Sequence, residues 1–280
     1  MAAGDATGLA TEGLDLLRRG RSAMTDAIPD WGVAGSALVG ADACFQAACT
    51  LSPNNAKALG NWGNALMAQG KLKVELAASL KATAAAMLEV GMGMGTGMGM
   101  DQTSESADTN QRSTPQQTVT TDTAFTTQSE VAVRRLEEEA ATLLTRAGRR
   151  YRKVLEADAS DARALVNWGA VLAMRATLAK ARDPDAAIRL YEAAAEKYAV
   201  ATETAPGPLS PWRALGETLL NLSTLYPRGS LDRADALEEA VVTLATASET
   251  DPEDEVAVAL LEEAEWRLAS SADGRPTWRM

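Results

Sequence analysis

The chain has no histidine. That absence removes Ser-His-Asp and Cys-His catalysis, and every metal site that needs an imidazole ligand. Cysteine is nearly absent too, with only Cys44 and Cys49 in 280 residues. Both fall in one expected helix, and a five-residue separation turns their side chains about 140° apart. A disulfide between them would break that helix, so the expected state is two reduced, mostly buried thiols in a reducing compartment. Aromatic residues are only 4% of the chain, and strand-forming runs are confined to one Thr-rich stretch. No run approaches 18 consecutive apolar residues, so no membrane insertion is expected. The start, MAAGDATGLATEGLDLL, carries Asp5 and Glu12 but no early arginine, unlike a signal or transit peptide. The expected location is soluble and intracellular: cytoplasmic, or organellar if a targeting segment is missing from the sequence. Basic charge is also in deficit, with a net charge of −11. Nucleic acid, which needs a net basic face, is not an expected partner.

What remains is helical material. Hydrophobic residues make up 46%, with alanine prominent, a composition suited to helices packed closely side by side. The length allows one elongated domain or two small ones. No catalytic constellation stands out. The acidic runs RRLEEEAA and LEEAE read as solvated helix faces. There is no Walker lysine loop, and the glycine run between Gly91 and Gly99 follows no strand, so it is no dinucleotide site. The expectation is a protein that is not an enzyme and uses no cofactor or metal.

Two segments are near copies. AKALGNWGNAL spans Ala56–Leu66 and ARALVNWGAVL spans Ala162–Leu172; a looser third copy, LSPWRALGETL, spans Leu209–Leu219. A second signature recurs as small residue, aromatic or Leu, small residue, proline. It reads Ala41, Phe45, Ala48, Pro53; then Ala194, Tyr198, Ala201, Pro206; then Ala240, Leu244, Ala247, Pro252. Ala147, Tyr151 and Val154 fill the same slots with Ala159 in place of the proline.

These paired signatures resemble the tetratricopeptide repeat (TPR), a pair of antiparallel helices A and B of roughly 34 residues. The resemblance implies an all-α fold, a TPR-like α-solenoid of antiparallel helix pairs. In that reading Gly63, Gly169 and Gly216 let helix A approach helix B of its own repeat. The small residues of helix B receive the next helix A, and proline ends helix B. Trp62 and Trp168 are then core fillers rather than ligand-stacking residues.

The expected helices are 6–22, 34–51, 56–69, 71–90, 129–157, 161–181, 185–204, 211–225, 232–250 and 254–271. They group as N-terminal TPR-like helices over 1–90 and C-terminal ones over 129–271, the last a capping helix, with a tail over 272–280 that holds Trp278. Residues 91–128 are low in core-forming residues and rich in Gly, Ser, Thr and Gln. They are expected to be a disordered low-complexity insertion. Its Met92, Met94, Met98 and Met100 carry thioethers of a kind that bind Cu(I), but the composition favours a flexible linker.

The family's register places the second, fifth, sixth, ninth and thirteenth positions of helix A in a concave groove. Here the polar residues so placed include Lys57, Asn61, Asn64, Arg163, Asn167, Arg213 and Asn221. Asparagine pairs with peptide backbone whatever its sequence, and the three cations favour an acidic segment. The implied function is an interaction scaffold or assembly factor that binds a partner's extended, acidic segment in this groove. The alternative is a structural subunit of a large complex. Hsp70/Hsp90 docking is a lesser alternative, because Asn64 and Asn167 match that branch while Gly60 stands where its lysine belongs.

Overall fold

The computed structural model describes residues 2–94, 116–204 and 211–273. Every described element is a helix: α1 Ala2–Thr25, α2 Trp31–Leu51, α3 Ala56–Met94, α4 Gln116–Ala157, α5 Ala162–Ala179, α6 Pro184–Thr204, α7 Trp212–Ser223, α8 Leu231–Thr250 and α9 Glu255–Asp273. The fold is all-α, and its helices pack in adjacent pairs: α1 on α2, α5 on α6, α7 on α8.

Local chemistry explains most boundaries. Asp30, Asn55, Asp161 and Asp183 each accept a hydrogen bond from the backbone N–H three residues on, at 2.9–3.0 Å. This satisfies donors that a helix start leaves open. Pro184 opens α6 at the position where a missing N–H costs nothing. Pro53 and Pro252 follow shortly after α2 and α8 and prevent their continuation. Gly229, with φ +80°, turns the chain into α8 in the left-handed region that glycine adopts without strain.

Two expected boundaries are overturned. Helices 56–69 and 71–90 are one helix, α3, which runs through Gly70. A single glycine costs only about 1 kcal/mol in a helix, and no proline follows it. The helix expected from 129 begins at Gln116, since residues 116–128 contain neither proline nor glycine. Helix therefore enters the stretch 91–128 from both sides. Residues 95–115, including Met98 and Met100, lie outside the described residues, as does Trp278.

The chain divides into two compact units. Unit 2 is residues 70–140, the later part of α3 and the earlier part of α4. Lys73 lies 2.7 Å from Glu139 and Lys81 lies 2.7 Å from Glu137, so the two stretches run antiparallel. Leu72, Ala77, Val133 and Ala140 are buried there. Hydrogen bonds from Lys73 and Arg135 hold the Glu139 carboxyl below its usual range.

Unit 1 is residues 1–69 and 141–280. Its four helix pairs repeat one contact. A Cβ on Gly13 of α1 would lie 3.0 Å from Phe45 of α2, and one on Gly63 of α3 would lie 2.7 Å from Tyr151 of α4. One on Gly169 of α5 would lie 2.9 Å from Tyr198 of α6, and one on Gly216 of α7 would collide with Leu244 of α8. Only glycine lets the paired helices approach this closely. The small residues flanking each ring or leucine are buried in all four pairs.

By length and composition α2 is also apolar enough to cross a membrane, with mean hydropathy 1.2. Gly, Ser and Asp42 interrupt its apolar residues, so it is not a continuous apolar run. Its apolar side are packed residues: Ala34, Leu38, Ala41 and Phe45 are fully buried. Leu38 and Phe45 seat on Gly20 and Gly13. One face of α2 is thus packed into the core.

Candidate functional site

The site grows from the glycine-on-aromatic contact. Tyr151 Cε1 and Cζ lie under Gly63, so its hydroxyl emerges beside the next residue, Asn64. Tyr151 donates to Asn64 Oδ1 at 2.8 Å, and Asn167 Nδ2 of α5 donates to the same oxygen at 3.1 Å. Burial pushes the Tyr151 hydroxyl well above its usual pKa, with Arg21 of α1 opposing. The phenol is therefore a neutral donor at neutral pH. Three helices are tied through one amide oxygen.

That arrangement leaves groups unspent. Among the described residues, Asn64 Nδ2 and Asn167 Oδ1 have no hydrogen-bond partner, and Lys57, Asn61 and Arg163 make no hydrogen bond or ion pair. Lys57 and Arg163 are exposed, and the three asparagines are half-buried. The face thus presents an amide donor, an amide acceptor, a free carboxamide and two free cations.

The other two expected site residues are committed elsewhere. Arg213 pairs at 3.0 Å with Asp254, which also caps the start of α9. Asn221 Nδ2 donates to the Glu217 carbonyl of its own helix at 3.0 Å. Sequence register places both on an A helix but does not reveal these partners.

The repeated tryptophans flank the site and differ from each other. Trp62 is buried, donates to Asp42 of α2 at 2.6 Å, and carries the Arg150 guanidinium 3.6 Å over its ring. Arg146 also reaches Asp42, at 3.3 Å. Burial lowers the Arg150 pKa, and its Nε is buried without a hydrogen-bond partner. The ring face replaces part of the lost hydration. Trp168 is only half-buried. Lys197 sits 5.2 Å from its ring, and its Nε1 faces Gly148, where a Cβ would lie 3.3 Å away. Core filling therefore holds for Trp62 and only in part for Trp168.

Sequence reading missed the hydroxyls. Tyr151 and Tyr198 were legible as ring fillers, and the detectable signal was the polar or apolar residue after each paired glycine. Neither cysteine is in a disulfide; Cys49 is buried and Cys44 half-buried. Burial pushes both thiols up, with Glu12 adding to it at Cys44 and Arg150 and Lys153 opposing it at Cys49.

The described residues form glycine-notched helix pairs with a polar seam between α3 and α5. Compared with family models and with curated proteins, the chain matches none.

Proposed function

We propose that the protein is a non-enzymatic interaction scaffold of the TPR type, and that its A helices bind an extended, acidic segment of a partner protein. The observation that carries this is the Asn64–Asn167 pair. Its shared oxygen fixes both amides while one donor and one acceptor stay unspent, the complement of a peptide unit. Lys57 and Arg163 would draw in acidic side chains, and Asn61 would extend the amide row toward α1. The fourfold glycine contact supports the repeat reading, since it recurs at matching positions of every pair.

The test is selection of random 16-residue peptides on the full chain. Binders are then measured against a double variant, Asn61→Ala with Asn167→Ala. The double variant should bind at least about tenfold more weakly, with Tm lowered by no more than a few degrees, because neither side chain is in the core. Affinity should also fall as salt shortens the Debye length to about 8 Å. Binding that is unchanged in the folded double variant would rule out this face.

A further inference from the structure

The α5–α6–α7 junction repeats the α3–α4–α5 junction with its polar groups removed. Tyr198 Cε1 and Cζ lie under Gly169 as those of Tyr151 lie under Gly63. The residue after the glycine is Ala170 where the earlier junction has Asn64. The sixth position of the following A helix is Ala214 where the earlier junction has Asn167. Ala170 and Ala214 both pack on the cluster that contains Tyr198. Tyr198 is 4% exposed, yet among the described residues its hydroxyl has no hydrogen-bond partner. Two carboxamides are thus replaced by two methyl groups; the notch is the space those two amides would take beside the Tyr198 phenol.

One turn beyond Ala214 stands Glu217, exposed and without an ion pair among the described residues. Its carboxylate is close enough to push up both Tyr198 and Tyr191, adding to burial, the larger cause. Tyr191 is already engaged with Thr177 at 2.9 Å. Among the described residues, the Tyr198 phenol and the nearby Glu217 carboxylate thus make no hydrogen bond or ion pair.

We infer that this notch is a side-chain subsite of the same binding face, and that it takes a lysine or arginine of the bound segment. The inference rests on the groove reading above. Charge complementarity selects the occupant. The aliphatic stem of the cation lies against Ala170 and Ala214, its head pairs with Glu217, and the Tyr198 hydroxyl donates to a carbonyl of the same segment. The segment then carries acidic residues for Lys57 and Arg163 and a basic residue for the notch, which fixes its direction.

The experiment uses the peptides selected on the full chain. Each lysine is replaced singly by norleucine and each arginine by citrulline. One such replacement should weaken binding by about tenfold on the wild type and hardly at all on Glu217→Gln. Ala170→Asn, which rebuilds the earlier junction, should abolish the same preference while keeping or raising Tm. Both variants should keep their dependence on Asn61 and Asn167. Peptides that need those amides but show no cation preference, or keep it in Glu217→Gln, overturn the subsite and leave the groove standing. Peptides that ignore the amides overturn the groove and the subsite together.

Discussion

Tyr151 and Tyr198 occupy equivalent slots in successive helix pairs, under equivalent glycines, yet among the described residues only the Tyr151 hydroxyl has a hydrogen-bond partner. The Tyr151 junction ends in an amide clamp across α3, α4 and α5. The Tyr198 junction ends in two alanines and a hydroxyl without a partner among the described residues. Helix spacing is set by the glycine and the ring, which both junctions share. The polar residues are therefore free to vary without altering the backbone, and one geometry yields a clamp in one place and a notch in the next.

The largest test of this comparison is at the tryptophans beside the two junctions. Trp62→Ala should cost about 3–5 kcal/mol, the range for large-to-small changes in a packed core. It also leaves Asp42 with Arg146 alone and uncovers Arg150. Trp168→Ala should cost roughly half as much, because Trp168 is half-buried and has only a distant cation on its ring. Denaturant titration of both variants measures the difference. Equal losses would mean that the Asp42 and Arg150 contacts contribute nothing to stability.

Next in size are two glycines of one helix turn. Gly63→Ala places a methyl group 2.7 Å from Tyr151 ring atoms, and a ring seated in the core cannot swing aside. Overpacking costs about 1–3 kcal/mol, more than the roughly 1 kcal/mol that alanine returns in helix propensity. Gly60→Ala meets no atom within 4 Å and should stabilise the chain by up to about 1 kcal/mol. Thermal melts should move in opposite directions. A rise in both would show that the close approach at Gly63 is not required.

The pairing scheme was readable because it depends on volume. Gly63, Gly169 and Gly216 and their partners Tyr151, Tyr198 and Leu244 follow one spacing rule, and size decides what fits. The candidate site depends on which polar atom meets which, and spacing carries less of that. Lys57, Asn61 and Arg163 could be placed on an A-helix face by register alone. The capture of Arg213 by Asp254 requires a turn geometry at the start of α9 that no repeat position encodes. Helix ends were misread where composition was weak evidence: Gly70 does not break α3, and the Thr- and Gln-rich start of α4 is helical.

The smallest test removes one oxygen from each junction. Tyr151→Phe keeps the ring under Gly63 and deletes the donor to Asn64. A net hydrogen bond of this kind contributes about 0.5–1.5 kcal/mol. The half-buried Asn64 oxygen keeps its bond from Asn167, so the loss should fall at the low end of that range. Tyr198→Phe deletes a hydroxyl that has no partner among the described residues. Its stability should therefore be nearly unchanged. The two variants are isosteric and lie in the same slot, so core packing cancels in the comparison. Parallel denaturant titrations give the difference directly. Equal destabilisation would mean that Tyr198 has an acceptor within the chain after all, which would close the notch and remove the contrast between the junctions.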